Sequence, residues 1–328
     1  MGGFWFNTIE STPGAEIVAC VDTNPEALER VVQSGRMRTD QCFTSFEVAA
    51  RSVQADAVLI ATPPDMHESV CIAAVEAGLH VLCEKPQAES IVAARRMVAA
   101  ADAANRVLMV AQNRRHNPFI HTLARLVREG RQGRPGQTTV TFRQIFTRDS
   151  FRDMMAHPLL IDMANHHFDA IRAVLGKEPE GVMGTDWNPS WSRFQGAASA
   201  VIVFDYADGS RVVYEGTWHA IDVDLTSNGC DWRIECENGL YACKNEIVYE
   251  GRRGDSASGS LGSVLEPVPM VEMERQGHAY LLDEFISAVR SGHIPQTTGE
   301  DNLNTLGMVL SAVEAVETGR RVRLVGVT

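Results

Sequence analysis

Short apolar runs alternating with helical stretches in the first third of the chain constrain its fold more than any other feature. Residues 56–61 (Asp-Ala-Val-Leu-Ile-Ala), 80–83 (His-Val-Leu-Cys) and 106–111 are apolar segments bounded by turn residues, and they read as buried parallel strands. Helical patterns over 67–78 and 90–104 connect them, which is the strand–helix–strand order of a doubly wound sheet. The first two strands close on short polar segments: Thr62-Pro63-Pro64 and Glu84-Lys85-Pro86. The third runs into Gln112-Asn113-Arg114-Arg115-His116-Asn117-Pro118. Open α/β sheets bind ligands outside the carboxyl ends of their strands. Pro86 fixes φ and ends the ladder, so Lys85 is presented at the mouth of the sheet.

A second feature lies downstream. Residues 159–171 have helical periodicity continuing to Leu175-Gly176, and Asp162 and His166, four apart, share one face of that helix. His167 points about 100° away on a 3.6-residue helix and reads as structural. Taken in order, Thr62-Pro63-Pro64 with His67, Ala77-Gly78 with Glu84-Lys85-Pro86, and Asp162, His166 and Asp169 resemble the glucose–fructose oxidoreductase/inositol dehydrogenase/rhizopine-catabolism (Gfo/Idh/MocA) family. The resemblance extends from about Gly2 to the C-terminus and leaves only the substrate-facing segments unassigned.

The resemblance implies a Rossmann domain over residues 1–118 and an α+β domain with an open, mostly antiparallel sheet over 119–328. It also implies NAD as cofactor, with NADP as the alternative. On the cofactor side it points to Gly2, Asp22, Thr62, Pro63, His67, Glu84, Lys85 and Gln112. Asp22, closing the strand at 16–22, favours NAD because an acid accepts from the ribose hydroxyls and repels a 2′-phosphate. Arg115 is divided between substrate binding and the domain interface. The chain departs from the family at its start: Gly2 matches the last glycine of the Gly-x-Gly-x-x-Gly fingerprint, and the strand and two glycines before it are absent. Upstream DNA is therefore expected to encode roughly 8–15 further residues, enough for one strand and a tight turn.

The remaining first-domain elements follow in order, with helices at 25–34 after Asn24 as N-cap and at 44–53. From Pro118 the texture changes. A helix over 119–129 ends at Gly130, and residues 138–147 alternate in strand fashion. Hairpins follow around Asp208-Gly209 and Asn238-Gly239. Residues 251–263, rich in Gly and Ser, read as a loop, and two helices, at 277–290 and 300–318, close the chain. Substrate specificity is placed on residues 147–158 and 187–194. His157-Pro158 replaces the glycine run that many relatives carry before the Asp/His helix.

Oxidising a secondary alcohol needs a hydride acceptor, a base for the hydroxyl proton and a cation facing the developing oxyanion. Imidazole titrates nearest neutrality, so His166 is the candidate base, with Lys85 as electrostatic partner and a competing base. Asp162 would orient the substrate hydroxyl or polarise the histidine. Lys85, Asp162 and His166 thus form the expected catalytic and substrate-binding set, with no metal. The reading is an NAD(P)-dependent dehydrogenase acting on a CH–OH group of a sugar, cyclitol or polyol. Alternatives on the same fold are an NAD-dependent glycoside hydrolase and a non-enzymatic cofactor- or sugar-sensing regulator. Retention of Lys85, Asp162 and His166 argues against the sensor.

Composition excludes other classes. A net charge of −12 over 328 residues, with no basic stripe, opposes a nucleic-acid partner. No run of about 18 apolar residues suggests a membrane span. Seven scattered cysteines without a C-x-x-C fit a reducing, cytoplasmic setting. The resemblance adds a homo-oligomer, dimer or tetramer, formed through the C-terminal sheet.

Overall fold

The computed structural model describes residues 2–147, 150–221, 223–252 and 265–324; most of the expected Gly/Ser loop lies outside the described residues. The chain divides into two compact units, Met1–Ala111 with His278–Leu303, and Gln112–Gly277 with Asn304–Thr328. The first unit thus recovers a C-terminal segment that the sequence boundary at residue 118 assigns to the second.

In the first unit, helix α1 (Gly2–Glu10) is followed by β1 (Cys20–Val21), α2 (Pro25–Gln33), β2 (Cys42–Phe43), α3 (Phe46–Ser52) and β3 (Ala57–Ile60). Then come α4 (His67–Glu76), β4 (His80–Cys83), α5 (Ile91–Ala103) and β5 (Leu108–Val110). The caps are those the side chains dictate: Asn24 Oδ1 accepts from the Glu26 amide, and Ser45 and Ser90 hydroxyls accept from the amides of Val48 and Ala93. β3, β4 and β5 form a parallel sheet in that order, and β1 pairs with β2 in a separate parallel ribbon. Among the described residues no strand joins β1 to β3, so the doubly wound sheet is in two pieces. With a partner on one side only, the strand expected at 16–22 is regular over just two residues. Helix α8 (Gly277–Ser291) supplies Leu281, Leu282 and Phe285 to a core with Trp5, Leu82, Met109 and Ala111. Its amphipathic pattern shows that it has an apolar face, and the packing shows which core takes that face.

The second unit is built on a nine-stranded sheet. Its strands are β6 (Pro135–Arg143), β7 (Gly181–Trp187), β8 (Ser199–Asp205), β9 (Arg211–Thr217), β10 (Asp231–Cys236), β11 (Gly239–Lys244), β12 (Ile247–Arg252), β13 (Glu266–Pro267) and β14 (Val322–Arg323). They lie in the order β13-β12-β11-β10-β6-β9-β8-β7-β14, antiparallel except for the β6–β9 pair. Helices α6 (Pro118–Glu129), α7 (Ala164–Leu175) and the later turns of α9 (Gly299–Thr318) cover one face. Phe119, Leu123, Phe168, Ile171, Val309 and Ala312 pack there on the inward residues Phe142, Phe204, Tyr214 and Ile234. α6 and α7 end at Gly130 and Gly176, with φ of 65° and 63°, the left-handed stop that glycine adopts without steric cost. The strands alternate in burial, as in β8 and β9, so the opposite face is open, with Met183 and Trp187 about half exposed. Among the described residues no helix is long and apolar enough to cross a membrane.

Candidate active site

The first unit presents the cofactor half. Asp22, Thr62 and Pro63 are exposed at strand carboxyl ends, and Lys85 is partly exposed beyond β4. Asp22 Oδ1 accepts the Asn24 amide at 2.9 Å, which shapes the turn after β1. Gly2 opens α1, and a Cβ built on it would meet open space.

Glu84 and His67, both expected to contact cofactor, are buried, and their polar atoms are engaged below the surface. Glu84 Oε1 accepts from the indole N–H of Trp5 at 2.7 Å, while Oε2 accepts the backbone amide of Lys85 at 3.2 Å. The His67 ring nitrogens face the carbonyl oxygens of Pro86 at 3.0 Å and Thr62 at 2.9 Å, so one imidazole ties together the loops after β3 and β4. The Asn302 amide donates to Gln87 Oε1 at 3.1 Å. The loop that carries Lys85 is therefore held at Glu84, Pro86 and Gln87, and its Lys85–Pro86 peptide is cis. Sequence reasoning missed Trp5 and Asn302; neither lies in a motif, and their partners are 79 and 215 residues away.

The second unit carries Asp162 and His166. The helix carrying Asp162 and His166 is not a continuous α-helix. Leu159–Met163 forms a π turn, closed by the Ala164 amide on the Leu159 carbonyl, and α7 follows. Such widened turns are frequent at functional sites. Asp162 sits in the π turn and His166 in the first α turn, both largely buried.

Sequence reasoning gave Asp162 two roles, towards substrate hydroxyl or histidine. In the structure its carboxylate receives a side-on guanidinium: Arg152 Nε donates to Oδ2 at 2.7 Å and Nη2 to Oδ1 at 3.1 Å. Arg152 comes from the 3₁₀ turn Phe151–Met154, capped by Ser150, and its guanidinium lies 4.7 Å from the Phe151 ring centroid. Arg152 falls within the segment expected to set specificity, and nothing in its local pattern marks it as the partner of Asp162.

Arg115, divided by sequence between substrate and interface, forms a buried ion pair with Asp169: Nε donates to Oδ2 at 2.7 Å and Nη2 to Oδ1. Thr305 Oγ1 donates to the same Oδ1 at 3.0 Å, and Arg172 Nη1 donates to Thr305 Oγ1 at 2.9 Å. Arg115 thereby anchors α7 through Asp169. Gln112 donates through Nε2 to Asn165 Oδ1 at 2.7 Å, which fixes the segment after β5 to the first turn of α7. His167 lies under the helix against Phe142, with Nδ1 3.0 Å from the Tyr214 hydroxyl. His116 is fully buried; burial, reinforced by Arg115, pushes it down to about 3, so it is neutral near pH 7. Among the described residues no group of three or more His, Cys, Asp or Glu side chains is arranged to hold a metal ion.

A parallel sheet with accessible groups at its carboxyl edge and an Asp/His helix on a separate mixed sheet define a two-domain, nucleotide-dependent oxidoreductase. The family models agree. The one described as an oxidoreductase family with an NAD-binding Rossmann fold matches residues 4–112, and the one for the GFO/IDH/MocA C-terminal domain matches 120–242. The chain belongs to the Gfo/Idh/MocA family and is an NAD-binding oxidoreductase. It is 34% identical over 318 residues to inositol 2-dehydrogenase 4 of Saccharopolyspora erythraea, covering 94% of this chain and 88% of that one. It is 27% identical to D-apiose dehydrogenase of Paraburkholderia graminis, covering 95% of this chain and 84% of that one. A crystal structure of an Agrobacterium radiobacter oxidoreductase with NAD+, L-tartaric acid and magnesium has the same fold. Its TM-score is 0.85 at 20% identity, over 98% of this chain and 95% of that one.

Proposed function

We propose that this protein is an NAD(P)-dependent dehydrogenase that oxidises a secondary hydroxyl of a sugar, cyclitol or related polyol. The observation that carries this reading is the clamped Lys85 loop at the carboxyl edge of a family Rossmann sheet, with Asp162 in the π turn and His166 on α7 both retained. The inositol and apiose dehydrogenases among its relatives support the polyol class.

In this reading Asp22, Thr62, Pro63 and Lys85 contact the dinucleotide, Glu84 and His67 hold the loops that carry those contacts, and Gln112 positions the segment after β5. Bound nicotinamide supplies the hydride acceptor. His166 takes the hydroxyl proton as the carbonyl forms, and returns it in the reverse direction. The ammonium of Lys85 stabilises the developing charge on the substrate oxygen, and Asp162, through Arg152, orders the groups around that hydroxyl. Asp22 favours NAD over NADP. Val201, Val203 and Val213, only half buried on the open sheet face, support a homo-oligomer formed through that face. The seven unpaired cysteines support a reducing, cytoplasmic setting.

The test is Lys85→Met. Turnover of polyols with NAD⁺, followed by NADH absorbance, is expected to fall roughly 10²–10³-fold, the usual cost of losing one preorganised charge. NAD affinity, measured by calorimetry, stays within a few fold. Near-wild-type turnover would remove Lys85 from the mechanism, and Lys85-dependent bond cleavage with no net NADH would instead favour the glycosidase reading.

A further inference from the structure

The charge balance around Asp162 is the opposite of what a neutral polyol needs. Both oxygens of Asp162 are engaged side-on by Arg152, so the pair presents no net negative charge. The pairing uses Nε and Nη2; Arg152 Nη1 hydrogen-bonds to no described residue. A second guanidinium, Arg114, stands in the 3₁₀ turn Asn113–His116. Its Nε is buried without a hydrogen-bond partner among the described residues, and burial pushes its titration downward. The charges that act on it are those of Asp162, already paired, and of Glu246, which is exposed and screened by water; the Cys230 thiol beside it is pushed far up by burial and is neutral. Among the described residues two guanidinium groups thus act on one committed carboxylate, an excess of about one positive charge in a chain whose net charge is −12.

The Arg152 segment is also built to stay in place. Ser150 Oγ caps the Arg152 amide at 3.2 Å, Asp153 takes Arg193 at 2.7 Å, and the Gln195 amide bonds the Asp153 carbonyl at 2.8 Å. The aromatic rings of Phe151 and Phe146 flank the Arg152 guanidinium at 4.7 and 5.8 Å. A cation held this firmly, with one nitrogen edge unused, is a preformed anion contact.

We infer that the substrate is an anionic polyol, a sugar acid whose carboxylate is received by Arg152 Nη1 in the field of Arg114 while its secondary hydroxyl faces His166. The inference rests on the dehydrogenase reading for the reaction, and on the second unit alone for the binding. One excess positive charge matches a carboxylate monoanion better than a phosphate dianion, which is why a carboxylate is named.

The test pairs four- to six-carbon aldonates and uronates with the matching neutral alditols and aldoses, with glucose 6-phosphate as the phosphate arm. Equilibrium binding is read by calorimetry on the NADH-loaded protein, and turnover with NAD⁺ is read separately. At least one acid is expected to bind about tenfold more tightly than its neutral partner, about 1.4 kcal/mol. The preference is expected to shrink as salt rises and to collapse in both Arg152→Gln and Arg114→Gln. The inference is overturned if neutral members bind as well as the acids, if the phosphate binds best, or if the acid preference survives both substitutions. Acid-selective binding with no oxidation of any compound would instead sink the dehydrogenase reading and leave this inference standing.

Discussion

Asp169 is the position where a single oxygen-to-nitrogen exchange should cost the most. Its carboxylate is 1% exposed and receives Arg115, itself 7% exposed, through two hydrogen bonds, together with the Thr305 hydroxyl. Arg172 Nη1 is 3.9 Å from the same oxygen and reaches it through Thr305 as well. Asp169→Asn keeps the shape and removes the charge that the buried Arg115 guanidinium meets side-on. Breaking a buried pair in this way typically costs about 3–5 kcal/mol. Against a total of about 5–15 kcal/mol for a folded domain, that is a fifth of the margin or more. For a unit of this size it lowers the midpoint by roughly 6–20 °C. Four of the five tryptophans (Trp187, Trp191, Trp218 and Trp232) lie in the second unit, so urea unfolding followed by tryptophan fluorescence reports mainly on it. Replacing both partners, as in Arg115→Met with Asp169→Asn, should recover part of the loss, because the unpaired charge is the main cost. A change below about 1 kcal/mol for Asp169→Asn alone, the range of exposed pairs, would refute the claim that this pair is desolvated.

Trp5→Phe keeps the ring in its core and deletes the N–H on Glu84. It is expected to lower kcat roughly tenfold through misplacement of Lys85, with KM little changed; an additive loss in a Glu84→Gln background would show that Trp5 does not act through Glu84. Asp22→Ala should weaken NAD binding and relax discrimination against NADP, and an unchanged preference in paired titrations would move the specificity to Thr23 or Asn24. His116 is held near 3 in the folded state and titrates near its ordinary 6.5 when unfolded, so the unfolded chain binds the extra proton as pH falls below 6.5. Stability is therefore full above that value and declines below it by up to about 1.4 kcal/mol per pH unit, until the pH approaches 3. His116→Phe should flatten this limb in urea titrations at pH 5 and 7, and an unaltered slope would assign the acid lability to other histidines.

What the sequence makes legible is what is decided locally. β4 occupies 80–83 as its apolar run requires, and α6 and α7 stop at Gly130 and Gly176 because those glycines take the left-handed conformation. The β8–β9 and β10–β11 hairpins fall where Asp208-Gly209 and Asn238-Gly239 place them. The β11–β12 hairpin is not legible: its turn is Asn245-Glu246 with φ of 49° and 64°, and a glutamate there carries no turn signature. Nor is the π turn at Leu159–Met163, whose apolar spacing suits an α-helix equally well. Its widening is a property of how the segment packs, not of its periodicity.

The candidate site divides along the same line. Residue types and order along the chain locate the motifs, whereas burial decides what each member does. Thr62, Pro63 and Lys85 remain accessible at the edge of the sheet, while Glu84 and His67, equally prominent in the same two motifs, are turned inward. A buried carboxylate needs donors and a buried imidazole needs partners, and both find them in the chain itself: an indole N–H, an amide and two carbonyls. The polar members of a motif thus separate into those left accessible and those engaged within the chain. The engaged members draw their partners from up to 79 residues away. The same holds on α7 and the π turn before it, where Asp169 is taken by Arg115 from 54 residues away and Asp162 by Arg152 from ten. A one-dimensional pattern records that these side chains are charged; only the fold assigns the counterion, and the counterion decides whether a charge is offered to substrate or withdrawn from it.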